Sequence, residues 1–145
     1  MSSEFSDAQD SPGFLLWEVT NLWQKKIRLA LEPLALTHMQ FVLLFSCHWL
    51  VSRGGGTEIT QVQLAQYARV DVNVTSQGLR VLEHKGYITR SAHPTDTRAK
   101  VIAPTPAGTD LALRAVQVVE AADREFFSTL GSEKEHFIQM MRQLL

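Results

Sequence analysis

Apolar and polar positions alternate along this chain in a pattern that predicts helices for most of its length. From Pro12, the residues Leu15, Leu16, Val19, Leu22, Trp23, Ile27 and Ala30 recur at spacings of three and four, with Glu18, Gln24, Lys25 and Arg28 between them. Pro33 ends that helix. Thr37 and Gln40 form a capping-box pair ahead of a strongly apolar helix that runs to Ser52. Arg53-Gly54-Gly55-Gly56 is a flexible break, and Thr57-Glu58-Ile59 suits a short strand. Thr60 and Gln63 repeat the capping box before a short helix, and Asp71 caps another that runs to Lys85, where Gly86 stops it. Tyr87-Ile88-Thr89-Arg90 and Lys100-Val101-Ile102-Ala103 are β-prone runs around a polar turn at His93-Pro94-Thr95-Asp96-Thr97. Thr105-Pro106 opens a long helix that reaches Leu130. Gly131 breaks it, and Ser132 with Glu135 is expected to cap a last helix ending in Met140, Met141, Leu144 and Leu145.

The order predicts a mainly α fold with a small β-hairpin wing: a winged helix-turn-helix flanked by helices. Residues 1–11, rich in Ser and Asp, are expected to be a disordered tail. Residues 12–36 and 105–145 form the flanking helical region, and 37–104 the winged helix-turn-helix. The outer helices carry more apolar residues than the small middle can cover. They are expected to be dimerisation helices that pack on a second copy of themselves, giving a homodimer.

Charge sharpens this outline. The whole chain is nearly neutral, at −1, but residues 69–100 carry six Lys/Arg against three acids. A basic middle is the electrostatic footprint of a polyanion-binding face. The single cysteine, Cys47, rules out an intrachain disulfide framework or a Cys-rich zinc module, and the five histidines show no paired metal spacing. No metal or other cofactor is therefore expected. The longest apolar stretch, 39–51, is interrupted by Gln40, Ser46 and His48, so no membrane span is expected. The acidic N-terminus does not resemble a secretory signal, and a cytoplasmic location is expected. Gly-x-Ser-x-Gly, His-Glu-x-x-His, Cys-x-x-Cys and a phosphate-cradling glycine loop are all missing, which argues against an enzyme.

Several stretches then resemble one family. Leu64-Ala65-Gln66, Asp71, Thr75-Ser76-Gln77, Leu79, Leu82-Glu83, Lys85-Gly86-Tyr87-Ile88 and Arg90 are similar to the two DNA-binding helices of the MarR-type winged helix-turn-helix regulators. His93-Pro94-Thr95-Asp96-Thr97-Arg98-Ala99 resembles that family's wing, with Asp-x-Arg at the tip, and Thr105-Pro106-Ala107-Gly108 resembles its Thr-x-x-Gly helix opening. The chain departs from the common pattern at Ser76-Gln77, where Thr-Arg is frequent, at Gly78, where a bulky apolar residue is usual, and at His93, where an acid is common. The resemblance implies a dimeric, sequence-specific DNA-binding transcriptional regulator, a repressor relieved by a small aromatic or phenolic effector. Its partner would be double-stranded DNA bearing a palindromic operator. A winged-helix protein-interaction module without DNA binding, and a redox- or metal-responsive regulator, are the alternatives.

Helical spacing assigns roles to single residues. With Thr75, Leu79 and Leu82 packed inward, Asn73, Ser76, Gln77, Arg80 and His84 face outward. Gln77 has the donor–acceptor pair that matches adenine N6 and N7, Arg80 suits guanine or phosphate, and Asn73 and Ser76 suit base or phosphate contacts. Arg98 at the wing tip is placed to enter a narrow A·T-rich minor groove, and Asp96 to hold its guanidinium by a bidentate bond. Arg90 is expected at the wing base, and Thr60 to offer a donor to a phosphate. The family resemblance places an effector near the junction of the dimerisation helices and the DNA-binding lobe. There Trp17, His38, Phe41 and Phe45 are candidate contacts.

Overall fold

The computed structural model describes residues 2–145. Six α-helices and three short strands follow one another as α1 (Pro12–Leu31), α2 (His38–Gly54), β1 (Ile59–Thr60), α3 (Gln61–Ala68), α4 (Val72–His84), β2 (Ile88–Ala92), β3 (Lys100–Pro104), α5 (Pro106–Phe127) and α6 (Lys134–Gln143). The start signals act as their chemistry dictates. Ser11 accepts from the Phe14 N–H, both capping boxes close at Thr37/Gln40 and Thr60/Gln63, and the Asp71 carboxylate accepts from the first free amides of α4. Gly86 ends the α4 turn in the left-handed conformation, φ 83°.

The wing is a three-stranded antiparallel sheet rather than a two-stranded ribbon. β1 joins the outer side of β3, giving the order β1-β3-β2, with Ile59 opposite Ile102 and Arg90 opposite Ile102 on the other side. Two helix boundaries also differ from the sequence pattern. Ser132 does not cap the last helix: after α5 the chain runs in 3-10 turns over Ser128–Glu133, kinked at Gly131, so Ser132 lies inside a turn and α6 begins without a side-chain cap. Within the expected disordered tail, Asp7 caps a 3-10 turn at Ala8–Asp10, and Gln9 Nε2 donates to Glu18 on α1 at 3.0 Å. Residues 8–10 are thus turned back on the helix, and Met1 lies outside the described residues.

One core unites the elements. α2 runs through its centre, with Leu43, Leu44 and Cys47 fully buried against Ile27 and Leu31 of α1, Leu79 and Leu82 of α4, and Leu111, Ala112 and Ala115 of α5. Each buried Leu or Ile contributes about 1.5–3 kcal/mol. Gly78 lies where α4 packs on α2: a Cβ there would lie 2.5 Å from Leu43 Cδ1. This close crossing is a packing role for a residue that costs ~1 kcal/mol in helix propensity. The α4 face carries one defect, the buried Thr75 hydroxyl, which has no hydrogen-bond partner. Thr75→Val removes that orphan at similar volume and is expected to stabilise the fold by about 1 kcal/mol in urea denaturation. A loss of stability would mean that the hydroxyl is satisfied.

The two ends of the chain bury little. Leu16, Trp17, Val19 and Leu22 of α1 are exposed, α6 buries no residue, and Leu144 and Leu145 are more than 80% exposed. No single helix among the described residues is long and apolar enough to cross a membrane.

Candidate nucleic-acid interface

The helix-turn-helix is formed by α3 and α4. α3 anchors through Leu64 and Ala65, and the turn is closed by Arg69 in the left-handed region (φ 55°), with the Val70 N–H donating to the Ala65 carbonyl at 3.0 Å. α4 then lies with Thr75, Leu79 and Leu82 inward and with Asn73, Gln77, Arg80 and His84 exposed, as helical spacing requires. Asp71 Oδ1 accepts from the Asn73 and Val74 N–H groups at 2.8 and 3.3 Å, fixing the turn from which Asn73 projects. Val72 and Val74 stand exposed on either side of it. They were not identified from sequence, although β-branched residues off the Thr75–Leu79–Leu82 stripe are a signal. Such side chains match the thymine methyl group.

Ser76 and Arg90 do not share this outward aspect. The Arg90 side chain is 16% exposed and reaches Glu83 at 3.5 Å, and it donates to Gln61 Oε1 and Ser76 Oγ at 3.4 Å each. One guanidinium therefore joins β2, α3 and α4. Half-buried Ser76 is occupied by it, so both residues hold the reading helix against the wing rather than facing outward with Gln77 and Arg80. Thr60 Oγ1 accepts from the Gln63 N–H at 3.1 Å, leaving its hydroxyl proton to donate.

At the wing tip Arg98 is 93% exposed. Asp96 does not grip it in a bidentate bond: Asp96 Oδ1 accepts from the Arg98 backbone N–H at 3.1 Å and lies 3.6 Å from Nε. The carboxylate shapes the turn and leaves the guanidinium free to project. His93 completes the tip, its Nδ1 accepting from the Thr95 and Asp96 N–H groups at 3.2 and 3.1 Å. An imidazole here does the turn-closing work of a carboxylate.

Of the four aromatic-pocket candidates, Phe41 and Phe45 pack on each other. Trp17 is 66% exposed, Phe41 is in the core, and Phe45 stacks on it at 5.8 Å. His38 instead meets the Trp23 ring edge-on at 5.1 Å, and Trp23 Nε1 donates to Asp123 at 2.7 Å. Burial holds His38 below its ordinary value, with Asp123 acting in the opposite sense. His38 also lines a concavity of about 450 Å³ together with Gln24, Arg28, Glu32, Leu36 and Lys85. Gln24, Arg28 and Glu32 recur every four residues, a polar stripe that faces this hollow.

Two features bear on the alternatives. Cys47 is fully buried, and burial pushes its thiol up to about 12, far from the thiolate that peroxide sensing uses. No group of three or more His, Cys, Asp or Glu side chains is placed to hold a metal among the described residues.

Comparison with known proteins agrees with this geometry. Residues 36–100 match the model of the MarR family. The chain is 39% identical to the uncharacterized HTH-type transcriptional regulator YdcH of Bacillus subtilis, over 99% of this chain and 95% of that one. It is 32% identical to the HTH-type transcriptional repressor Rv2887 of Mycobacterium tuberculosis, over 94% and 96% of the two chains. Among solved structures, a mutant MarR from E. coli complexed with operator DNA superposes with a TM-score of 0.83 at 23% identity, covering 99% of each chain. A mainly helical fold with a small winged sheet, a reading helix with its polar face exposed, and these matches along nearly the whole chain make one conclusion: the chain belongs to the MarR family of winged helix-turn-helix, DNA-binding transcriptional regulators, and is not an enzyme.

Proposed function

We propose that this protein is a homodimeric repressor that reads a palindromic operator and leaves it when a small aromatic acid binds. The observation that carries the DNA-reading part is the exposed set Asn73, Gln77 and Arg80 on α4, a helix that Arg90 ties to the strand leading into the wing whose tip exposes Arg98. Asn73 and Gln77 read base edges in the major groove, Arg80 takes guanine or phosphate, and Arg98 enters the flanking minor groove. Thr60, at the start of α3, donates to a phosphate.

A protein-docking role for this face is less well supported, because its centre is polar and cationic rather than a cluster of apolar anchors. Gln77→Ala separates the readings. It is expected to cost about 1–3 kcal/mol on an operator selected from a random duplex pool and little on random DNA. Equal losses on both duplexes would remove the base-reading role.

The dimer reading rests on apolar surface that a single chain leaves open. α1 exposes Leu15, Leu16, Trp17, Val19 and Leu22, and α5 with α6 form a hollow of about 360 Å³ in which Phe127, Phe137, Ile138 and Met141 lie beside the charged Glu120, Asp123, Arg124 and Lys134. Two-fold pairing of these helices is expected to bury on the order of 2,000 Å² or more. It would place two reading helices about one helical turn (~10 bp) apart, or a multiple of it. Sedimentation equilibrium at micromolar concentration is expected to show only dimer, and a folded monomer there would refute this reading. The repressor sign follows the 32% identical relative that carries that description.

A further inference from the structure

Residues 93–99 link β2 to β3 and carry the exposed Arg98. The turn is closed by its own hydrogen bonds. The His93 N–H donates to the Ala99 carbonyl and the Ala99 N–H to the Asp96 carbonyl, each at 3.1 Å. The Arg98 N–H goes to Asp96 Oδ1. The Thr95 and Asp96 N–H groups both point at His93 Nδ1, and Thr95 Oγ1 lies 3.3 Å from the same nitrogen. Asp96 is therefore held at three places: its N–H by His93, its carbonyl by Ala99 and its carboxylate by the Arg98 amide. His93 fixes Asp96, and Asp96 fixes the backbone from which Arg98 projects.

This geometry decides the state of the imidazole. A backbone N–H can only donate, so Nδ1 must offer its lone pair and the ring proton lies on Nε2. The Thr95 hydroxyl faces the same lone pair and donates as well. Three donors thus converge on one nitrogen, and a proton there would add a fourth donor in place of the acceptor. The other charged groups of the wing are few. Asp96 and Arg98 lie in the turn itself, Lys100 opens β3 opposite Ala92, and Arg90 is turned to Glu83 of α4. β1, paired on the far side of β3, is Ile59–Thr60 and brings no charge.

We propose that His93 is a positioning residue for DNA binding: its neutral imidazole holds Asp96 and so presents Arg98 to the minor groove, and a proton on Nδ1 releases the tip and weakens the grip on the operator. The assignment rests on the reading of Arg98 as a minor-groove residue, and adds a second residue that acts through it. The effect is one of ordering. A turn already held in shape loses little freedom on docking, whereas a released turn must be ordered at that moment. The β2–β3 register and the Arg90 contacts do not involve His93 Nδ1, so the fold survives the release. Operator affinity is thereby linked to protons. The neutral ring is the binding-competent form, so affinity is full on the alkaline side and falls as the pH drops through the range in which imidazoles take up a proton.

The test is titration of a labelled operator duplex, selected from a random pool, with the full-length protein at about pH 8 and about pH 5.5, the two sides of the imidazole range. The proteins compared are the parent, His93→Ala, His93→Asn, Arg98→Ala and the double variant His93→Ala with Arg98→Ala. Asparagine is the rescue: its carboxamide oxygen accepts from backbone N–H groups just ahead of it, and it does not titrate. At the higher pH, His93→Ala is expected to bind about three- to tenfold more weakly than the parent, and His93→Asn like the parent. In the Arg98→Ala background, His93→Ala is expected to cost nothing further, because it acts only through the guanidinium. At the lower pH the parent is expected to fall about three- to tenfold behind His93→Asn. His84 of the reading face is common to both proteins, so the difference between their profiles isolates His93. Additive losses in the double variant overturn the positioning role. Parallel pH profiles overturn the proton linkage, as does a parent that gains on His93→Asn in acid, which would mean that the imidazolium meets a phosphate itself. If His93→Ala binds like the parent at the higher pH while Arg98→Ala is weakened, the His93 assignment falls and the wing reading stands; if Arg98→Ala binds like the parent, both fall.

Discussion

Gly108→Ala is expected to destabilise the protein by about 3 kcal/mol, the upper end of ordinary overpacking, because the added methyl meets backbone rather than a movable side chain. A Cβ at Gly108 would collide with the Tyr87 carbonyl oxygen and come within 2.8 Å of its carbon. The peptide at Tyr87 has nowhere to go. Its oxygen already accepts from the Thr105 N–H at 3.0 Å, while the Thr105 hydroxyl donates to the Gly86 carbonyl at 2.7 Å and accepts from the Gly108 N–H at 3.0 Å. The first turn of α5 is thus seated on the chain just before β2, and the methyl must lift it off. A fall in melting temperature of roughly 6–12 °C corresponds to this loss in a chain of this size. A cost below about 1 kcal/mol would show that α5 slides without penalty, and that the seat is not rigid.

Arg98→Ala is expected to leave stability within about 0.5 kcal/mol of the parent, because the side chain is almost wholly solvated and touches only Asp96. Its expected effect on operator affinity is a loss of about 1–3 kcal/mol or roughly 5- to 150-fold. A guanidinium in a narrow minor groove gains from the enhanced negative potential there, and the exposed ion pair it gives up, Asp96 at 3.6 Å from Nε, is worth little. Titration at two salt concentrations separates this from a general loss of charge. Parent-like binding at about 0.15 M salt would show that the tip stays clear of the groove.

The sequence was legible where local chemistry decides structure. Thr37, Thr60, Asp71 and Thr105 act as caps because a short oxygen-bearing side chain meets free amides whatever the tertiary context. The inward stripe Thr75–Leu79–Leu82 follows from helical periodicity alone. Contacts between distant segments were not legible. The pairing of β1 with β3, the turn of Arg90 toward Glu83, Gln61 and Ser76, and the packing of Trp23 on His38 all depend on how elements dock. Gly78 is the instructive case. Its local cost was visible, while its reason, the approach of α4 to Leu43, lay thirty-five positions upstream. That Gln24, Arg28 and Glu32 of α1 line one hollow with His38 and Lys85 likewise depends on docking.

The three-way grip of Arg90 has a consequence for the DNA itself. Because β2, α3 and α4 are joined through one largely buried guanidinium, a swing of the wing away from the reading helix would have to break these contacts. In the proposed dimer each lobe would meet its half-site as a fixed gauge. Lengthening the spacer between half-sites by a single base pair rotates one relative to the other by about 35°, and that twist must be absorbed by the double helix or by rotation of an entire lobe. Tolerance to spacer length should therefore track the torsional softness of the intervening base steps, with pyrimidine–purine spacers forgiving and A-tracts strict.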